Sequence, residues 1–403
     1  MKHPPRRLVD TKRVPTRAMD SDGVTAADCP PHPSVLLLTL YYPPYIGGIE
    51  IHTQAVAVAL ADAGARVSVA CFSFDNHGRM SSHISHEGSI DVVRMAPRLG
   101  LRWLDMARYL RSVRDSVGVL HVQGYSRPLL LLVRLFRRRG TWVITPHGLH
   151  NAGRDDQGRL GVTLARRLID ALLLPWLLNG AAFIFAISTA ERDYVHRRLR
   201  HPLNSKTVIL GSPIDKTNAD LVQSADHTPQ RFLTLSRLTA RKRLSDLVRV
   251  LVADPSLPGC DLAGPPGDDS QRLQNLALQG SSHQIAFLGP VAGRRKLFLL
   301  RSALALVLCS DYEGLSVAAL EALAQGTPVV ASTGAAAGLP ISGVITYPTG
   351  DLDALAAALR AVATPDQQRR LRAEAAAVGV SLLDARAYAH RLLEYYASVL
   401  PHD

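Results

Sequence analysis

Long uninterrupted apolar runs are missing from this 403-residue sequence. Its most apolar window, residues 168–187, has about the length of a membrane span but is broken by Asp170, Pro175, Asn179 and Gly180. Those interruptions predict a buried helix, a turn and a strand over 182–186 in place of a bilayer crossing. The amino-terminal segment is polar and basic, with no apolar core of signal-peptide length behind it, so a cytoplasmic protein is expected. Cysteine is scarce: Cys29, Cys71, Cys260 and Cys309 are scattered, with no C-x-x-C pair. That spacing argues against a disulfide framework and a zinc site, and predicts buried reduced thiols. Aromatic residues make up only 5%. With few rings for base stacking and no RRM, zinc-finger or helix-turn-helix signature, a nucleic-acid-binding module is disfavoured despite a formal charge of +12.

What is present describes a two-domain α/β chain. The length suits two domains of about 150–200 residues each, and hydrophobic residues at 47% suffice for two cores. Residues 1–33 lack periodicity and read as a disordered extension. A first domain is expected over 34–212, a polar hinge over 213–230, a second domain over 231–381, and a helix over 382–400 that packs back on the first domain. The first domain opens with the strand run Ser34-Val35-Leu36-Leu37-Leu38-Thr39-Leu40, then a loop ending in Gly47-Gly48, a helix to about Ala63 and the strand Arg66-Val67-Ser68-Val69-Ala70. Strand, glycine loop, helix and strand in this order form a mononucleotide-binding half-unit. Two adjacent glycines let the backbone approach a ligand closely. Strands at 119–122 and 142–145 follow. The second leads into Pro146-His147-Gly148 at the carboxyl edge of the sheet, where open parallel sheets bind ligands. His121 is read as structural, lining the cleft or capping a strand, and His147 as functional.

The stretch 310–332, SDYEGLSVAALEALAQGTPVVAS, repeats the strand, loop, helix and strand pattern in the second half. A helix N-terminus there offers the amides of Gly314, Leu315 and Ser316 to an anion such as a phosphate. Glu313 at the mouth of the loop and Glu321 eight residues on lie about two helical turns apart, so they reach different parts of one ligand. Upstream, Arg237 and Lys242 lie five apart on a loop entering a helix, two cations suited to a diphosphate.

The string from Glu313 to Ser332, E-G-L-S-V-A-A-L-E-A-L-A-Q-G-T-P-V-V-A-S, resembles the nucleotide-sugar-binding signature of the retaining glycosyltransferases of family 4. Other motifs fall in that family's order across residues 34–375: P-P-x-x-G-G at 43–48, a histidine at 147, the serine-capped turn Ile187-Ser188-Thr189-Ala190-Glu191, and the Arg237/Lys242 pair. Two departures stand out. The inter-domain strand lacks the family's Asn, reading Gly211-Ser212-Pro213-Ile214-Asp215, and Arg243 replaces the Gly that usually follows the Lys. The resemblance implies two facing doubly wound Rossmann-like domains of the GT-B type, with donor held mainly by the second domain and acceptor by the first. It implies a retaining, metal-independent transfer of a hexose-type sugar from a nucleotide-diphosphate sugar to an acceptor hydroxyl. In that scheme Arg237, Lys242, Gly47, Gly48, Gly314, Leu315 and Ser316 bind the donor diphosphate, Glu321 the ribose, and Glu313 the sugar, with His147 facing the sugar or acceptor. No D-x-D segment stands at a strand end where divalent-metal glycosyltransferases keep one, so no metal or other cofactor is expected. A nucleotide-sugar epimerase of the same fold is the alternative, acting on donor alone.

Positive charge is concentrated between Arg94 and Arg139, with eleven arginines against Asp105 and Asp115. Arg108, Arg111 and Arg114 recur at helical spacing, and Leu104, Leu110 and Val113 are expected on the opposite side. Such a segment reads either as a solvated helix face or as a peripheral contact with an anionic membrane at its inner face, where a lipid-linked glycan acceptor would be presented. A sugar acceptor free in solution is the other possibility.

Overall fold

A computed structural model describes residues 33–45, 47–73, 82–96, 102–136, 142–149, 173–199, 206–214, 231–280 and 284–400. The predicted hinge lies outside the described residues from 215 to 230, as does the extension up to residue 32. Two separate sheets carry the architecture. The first contains β1 (Ser34–Thr39), β2 (Arg66–Phe72), β3 (His83–Glu87), β4 (Ile90–Met95), β5 (Val119–Gln123), β6 (Trp142–Thr145), β7 (Ile184–Ala186) and β8 (Thr207–Ile209). Its spatial order is β3-β4-β2-β1-β5-β6-β7-β8, parallel throughout except for the β3–β4 hairpin at one edge. The second contains β9 (Arg231–Leu235), β10 (Cys260–Ala263), β11 (Ile285–Gly289), β12 (Ala303–Leu308), β13 (Val329–Ser332) and β14 (Val344–Tyr347), all parallel in the order β11-β10-β9-β12-β13-β14.

Parallel strands covered by helices on both faces are near-continuous apolar runs. β1 (SVLLLT) and β12 (ALALVL) are such runs, and β12 is buried along its whole length. Side chains alternate between faces with period two: Leu36 and Leu38 join the cluster around Trp142 and Ile144, whereas Val35 and Leu37 join the one around Val56, Leu60 and Tyr388. The helices of the first half are α1 (Gly48–Asp62), α2 (Arg102–Ser112), α3 (Arg127–Phe136) and α4 (Thr189–Leu199). Those of the second are α5 (Leu244–Ala253), α6 (Ser270–Ala277), α7 (Gly293–Ser302), α8 (Val317–Ala324), α9 (Leu352–Ala363) and α10 (Pro365–Ser381). The last helix, α11 (Ala385–Ala397), leaves the second half and lies against α1, burying Tyr388, Leu392 and Tyr396 on the first sheet's core. A core leucine such as Leu392 contributes on the order of 2–5 kcal/mol against truncation to alanine.

In each sheet the chain order reverses once, between β1 and β5 and between β9 and β12. Crevices at such reversals are where doubly wound folds bind ligands. The loops after β1, β6, β9 and β12 hold Gly47, His147, Arg237 and Glu313 respectively.

The arginine-rich segment divides. Arg94 is only 8% exposed, and its guanidinium donates to Pro43 O at 2.6 Å and Glu87 Oε1 at 2.7 Å. It therefore anchors the loop before Gly47 and belongs to no basic surface. Arg108, Arg111 and Arg114 are exposed, but Leu104 is not opposite them. It is 51% exposed, four residues before Arg108 on the same stripe, and Met106 joins Leu110 and Val113 inside. Arg98, Arg137, Arg138 and Arg139 lie outside the described residues. Among the described residues no helix is long and apolar enough to cross a membrane. Residues 173–178 are helical and β7 starts at Ile184, with 151–172 outside the described residues. Cys71, Cys260 and Cys309 are buried free thiols.

Candidate active site

The second half brings its charged residues together through two loops. After β12 the chain runs through 309–315 to Ser316, whose hydroxyl accepts from the Ala319 amide at 3.3 Å and caps α8. After β9 it passes Arg237, makes a short 3₁₀ turn over Ala240–Lys242, and enters α5 through Arg243 with φ +47°. That left-handed conformation is where glycine is relaxed. Arg243 adopts it while its guanidinium binds Asp246 at 2.8 Å and Asp311 at 3.3 Å. The loops are tied by the Asp311 amide donating to Arg241 O (3.0 Å) and by Arg241 Nη1 donating to Tyr312 O (2.9 Å).

Glu313 sits where they meet. Its Oε1 accepts from Lys242 Nζ and, at 2.6 Å, from Ser310 Oγ, while Arg241 Nη1 stands 3.8 Å from Oε2. Burial pushes its carboxyl up, but Lys242, Ser310 and Arg241 together outweigh that and hold it below the ordinary carboxylate range. It is an anion at neutral pH with its side chain 12% exposed. Glu321, on α8, accepts from Lys296 of α7 at 2.6 Å. Each glutamate thus has its own lysine, which leaves the pairs electrically balanced until a ligand's phosphates or hydroxyls enter.

The first half contributes neutral groups. His147 follows β6 with φ +59°, and its Nε2 is 2.8 Å from Gln123 Oε1. Beside it His52 meets its ring edge-on at 4.4 Å, and His52 Nδ1 is 2.8 Å from Ser212 Oγ. His121 is fully buried between Tyr396 OH (2.6 Å) and Thr145 Oγ1 (2.8 Å), a structural role. Burial depresses all three: His52 and His121 to about 3, and His147 well below the ordinary histidine value, with neighbouring imidazoles adding to the effect on His121 and His147. The three are neutral at physiological pH.

Gly47 precedes α1, and a Cβ there would meet Glu50 Oε2 at 2.2 Å, so the chain's own carboxylate lies over it. Gly48 has open space about its Cα. Burial raises the Glu50 carboxyl, and Arg237 of the other half pulls it down. Arg237 also stands 5.9 Å over the Tyr45 ring. A Cβ on Gly314 would come within 3.2 Å of Gly148 Cα, next to His147. Arg237 therefore stands against the Gly47 loop of the first half and Gly314, next to Glu313, against the His147 loop, and Leu315 and Ser316 follow Gly314 at the same seam.

Sequence reasoning did not single out Glu50, Gln123, Arg241, Lys296 and Ser310, whose partners are supplied by tertiary contact. It also gave the Ser188 turn little function. The structure shows Glu191 of that turn fully buried, its Oε1 accepting from the amides of Gly148 (2.6 Å) and Leu149 (2.7 Å) and its Oε2 from that of Ile187 (3.0 Å). Burial raises the Glu191 carboxyl, with the amides of Ile187, Leu149 and Gly148 acting against it. The available signal was the capping-box spacing of Ser188 and Glu191.

Known proteins match both halves. Residues 47–209 fit the family of glycosyl transferase 4-like domains, and residues 215–378 fit the glycosyl transferases group 1. An uncharacterized glycosyltransferase of Methanocaldococcus jannaschii is 35% identical over 321 residues, spanning 74% of this chain and 80% of that protein. Among solved structures, sucrose-phosphate synthase from Thermosynechococcus elongatus has a TM-score of 0.72 at 19% identity, covering 91% of this chain and 99% of that one. An Anabaena protein in complex with UDP and glucose has a TM-score of 0.65 at 16% identity, covering 91% and 100%. Two Rossmann-like halves that meet through the Gly148 and Gly314 loops and through Tyr45 and Arg237, each matched by its own domain family, identify the chain as a member of the group 1 glycosyltransferases, enzymes of the GT-B fold.

Proposed function

We propose that the chain moves a hexose-type sugar from a nucleotide-diphosphate sugar to an acceptor hydroxyl, with retention of anomeric configuration and with side-chain cations in place of a metal. The observation that carries this reading is Glu313 held between Lys242 and Arg241 at the crevice of the second sheet. Breaking the bond from the anomeric carbon to the diphosphate builds negative charge on the leaving group. In this reading Lys242 and Arg237 meet that charge, together with the amides of Gly314, Leu315 and Ser316. As phosphate draws Lys242 away, Glu313 is released towards the donor's sugar hydroxyls, and Glu321 takes the ribose hydroxyls. Gly47 and Gly48 close over the diphosphate from the first half. His147, neutral and with Nε2 engaged by Gln123, faces the sugar or the acceptor as a hydrogen-bonding group. Cleft closure excludes water and protects the activated sugar from hydrolysis. The exposed Arg108, Arg111 and Arg114, with Leu104 beside them, would hold the enzyme at the inner face of an anionic membrane, where a lipid-linked glycan is the acceptor.

The testing experiment is a thermal-shift panel of UDP, GDP and ADP without added metal. A ligand that binds only the folded state stabilises it by about 2.7 kcal/mol at a hundredfold excess over its Kd, so one nucleotide should raise Tm by several degrees. No shift with any of the three, or a shift only with added divalent metal, sinks the reading. Conversion of the donor sugar without acceptor would replace transfer with epimerisation.

A further inference from the structure

Helix α4 begins with Ser188 as its cap, and the Glu191 amide donates to Ser188 Oγ at 3.2 Å. In a capping box the glutamate at this position reaches back to the cap residue's own amide. Glu191 does otherwise. Its carboxylate takes the amide of Ile187 and crosses to those of Gly148 and Leu149, more than forty residues away in sequence. Among the described residues no lysine or arginine pairs with it. A buried carboxylate needs full hydrogen bonding to be tolerated, and here backbone amides supply it. The two segments it binds are also those that touch the loop of Glu313. A Cβ on Gly314 would lie 3.2 Å from Gly148 Cα and 3.4 Å from Ile187 Cδ1. The loop so held contains His147 in a left-handed conformation that a non-glycine residue adopts only when its surroundings impose it.

We propose that Glu191 is a positioning residue for sugar transfer: its carboxylate fixes the 147–149 loop and Ile187 against Gly314, and so sets where His147 stands relative to Glu313. The inference rests on the reading of His147 as a group that faces the reacting sugar. Displacement of such a group by about 1 Å can cost on the order of 100-fold in rate.

The test measures kcat and KM for Glu191→Ala, Glu191→Gln, His147→Ala and the double variant Glu191→Ala/His147→Ala, with the nucleotide-induced thermal shift as proof of a folded donor site. Glu191→Ala is expected to lower kcat about 100-fold, with donor KM and thermal shift close to those of the parent. Glu191→Gln keeps one acceptor oxygen for Gly148 and Leu149 but presents an NH₂ group to the Ile187 amide, so its kcat should fall between the two. In the double variant the losses should not multiply, because both changes remove one function. Multiplying losses, or an unchanged kcat in folded Glu191→Ala, would overturn the proposal. If Glu191→Ala does not fold, the same comparison with Glu191→Gln decides it. A fully active His147→Ala refutes the reading of His147; Glu191 then stands as positioning only if its own variants still lose kcat, through the Gly148–Gly314 contact.

Discussion

On the amino-terminal side of the cleft the polar groups include uncharged imidazoles and an amide, His52, His121 and Gln123 buried and His147 half-buried, with the Glu50 and Glu191 carboxyls beside them. On the carboxy-terminal side they are ions: Glu313 with Lys242 and Arg241, and Glu321 with Lys296. The first half carries exposed arginines on its outer helix α2, whereas the second keeps Lys242, with its side chain 17% exposed, inside the crevice. The difference matches the two partners a glycosyltransferase must distinguish. A nucleotide-diphosphate sugar has fixed negative charge and rewards cations held ready; an acceptor hydroxyl is neutral and needs orientation more than charge.

Lys242→Ala breaks the charged side most severely. It removes a cation from the proposed leaving group and takes from the buried Glu313 the lysine that faces it, with Ser310 and the more distant Arg241 staying beside it. Loss of one such preorganised donor costs about 100–1000-fold in rate, about 2.7–4 kcal/mol. Steady-state kinetics should show kcat/KM falling by that factor. An unchanged value would mean that Lys242 serves only to neutralise Glu313.

The charged side was largely legible in sequence because its residues sit at fixed offsets from strand ends: Arg237 and Lys242 after β9, Glu313 and Glu321 around the start of α8. The parallel strands were legible for a related reason, since burial on both faces writes them as unbroken apolar runs. The neutral side was not. His147 could be picked out as following a strand, but Gln123, Glu191 and Tyr396 reach it or its neighbours only through tertiary contacts. The β3–β4 hairpin escaped notice because β3 (HISHE) is polar and exposed, as an edge strand can be. Arg94 was misread by composition: an arginine inside a run of arginines looks like part of a surface until its burial is seen. Leu104 was assigned to the wrong face, because the inward stripe of α2 runs through Met106, Leu110 and Val113.

The outer arginines offer the next test of the contrast. Near an anionic bilayer each basic side chain contributes about 1 kcal/mol, so Arg108→Ala, Arg111→Ala and Arg114→Ala combined should lower partition onto acidic vesicles by roughly 100-fold. Asp105, 3.2 Å from Arg108, offsets part of the charge. Turnover of a water-soluble acceptor should be unaffected, since none of the three lies in the cleft. Co-sedimentation at low and physiological salt reads the effect. Equal binding by parent and variant would leave α2 as a solvated helix face.

The neutral side predicts an acid-labile fold. Burial places His52 and His121 at about 3 in the folded protein, below the ~6.5 of an unfolded chain, so the unfolded state binds protons first. Their contribution is complete above about pH 6.5 and is lost as the pH falls from there towards 3. The groups facing them offer little relief: His52 meets Ser212, His147 and Tyr388, and His121 meets Tyr396, Thr145, Gln123 and Phe185, without a carboxylate among these contacts. One unit below the unfolded value each histidine costs about 1.4 kcal/mol. His52→Gln removes one titrating ring and allows a hydrogen bond to Ser212. Denaturant titrations at pH 7.5 and 5.5 should show the parent losing about 1.4 kcal/mol more than this variant over the same interval. Equal losses would mean that His52 is already wet or protonated in the folded state, and the contrast between a neutral and an ionic side of the cleft would shrink to His121 and His147.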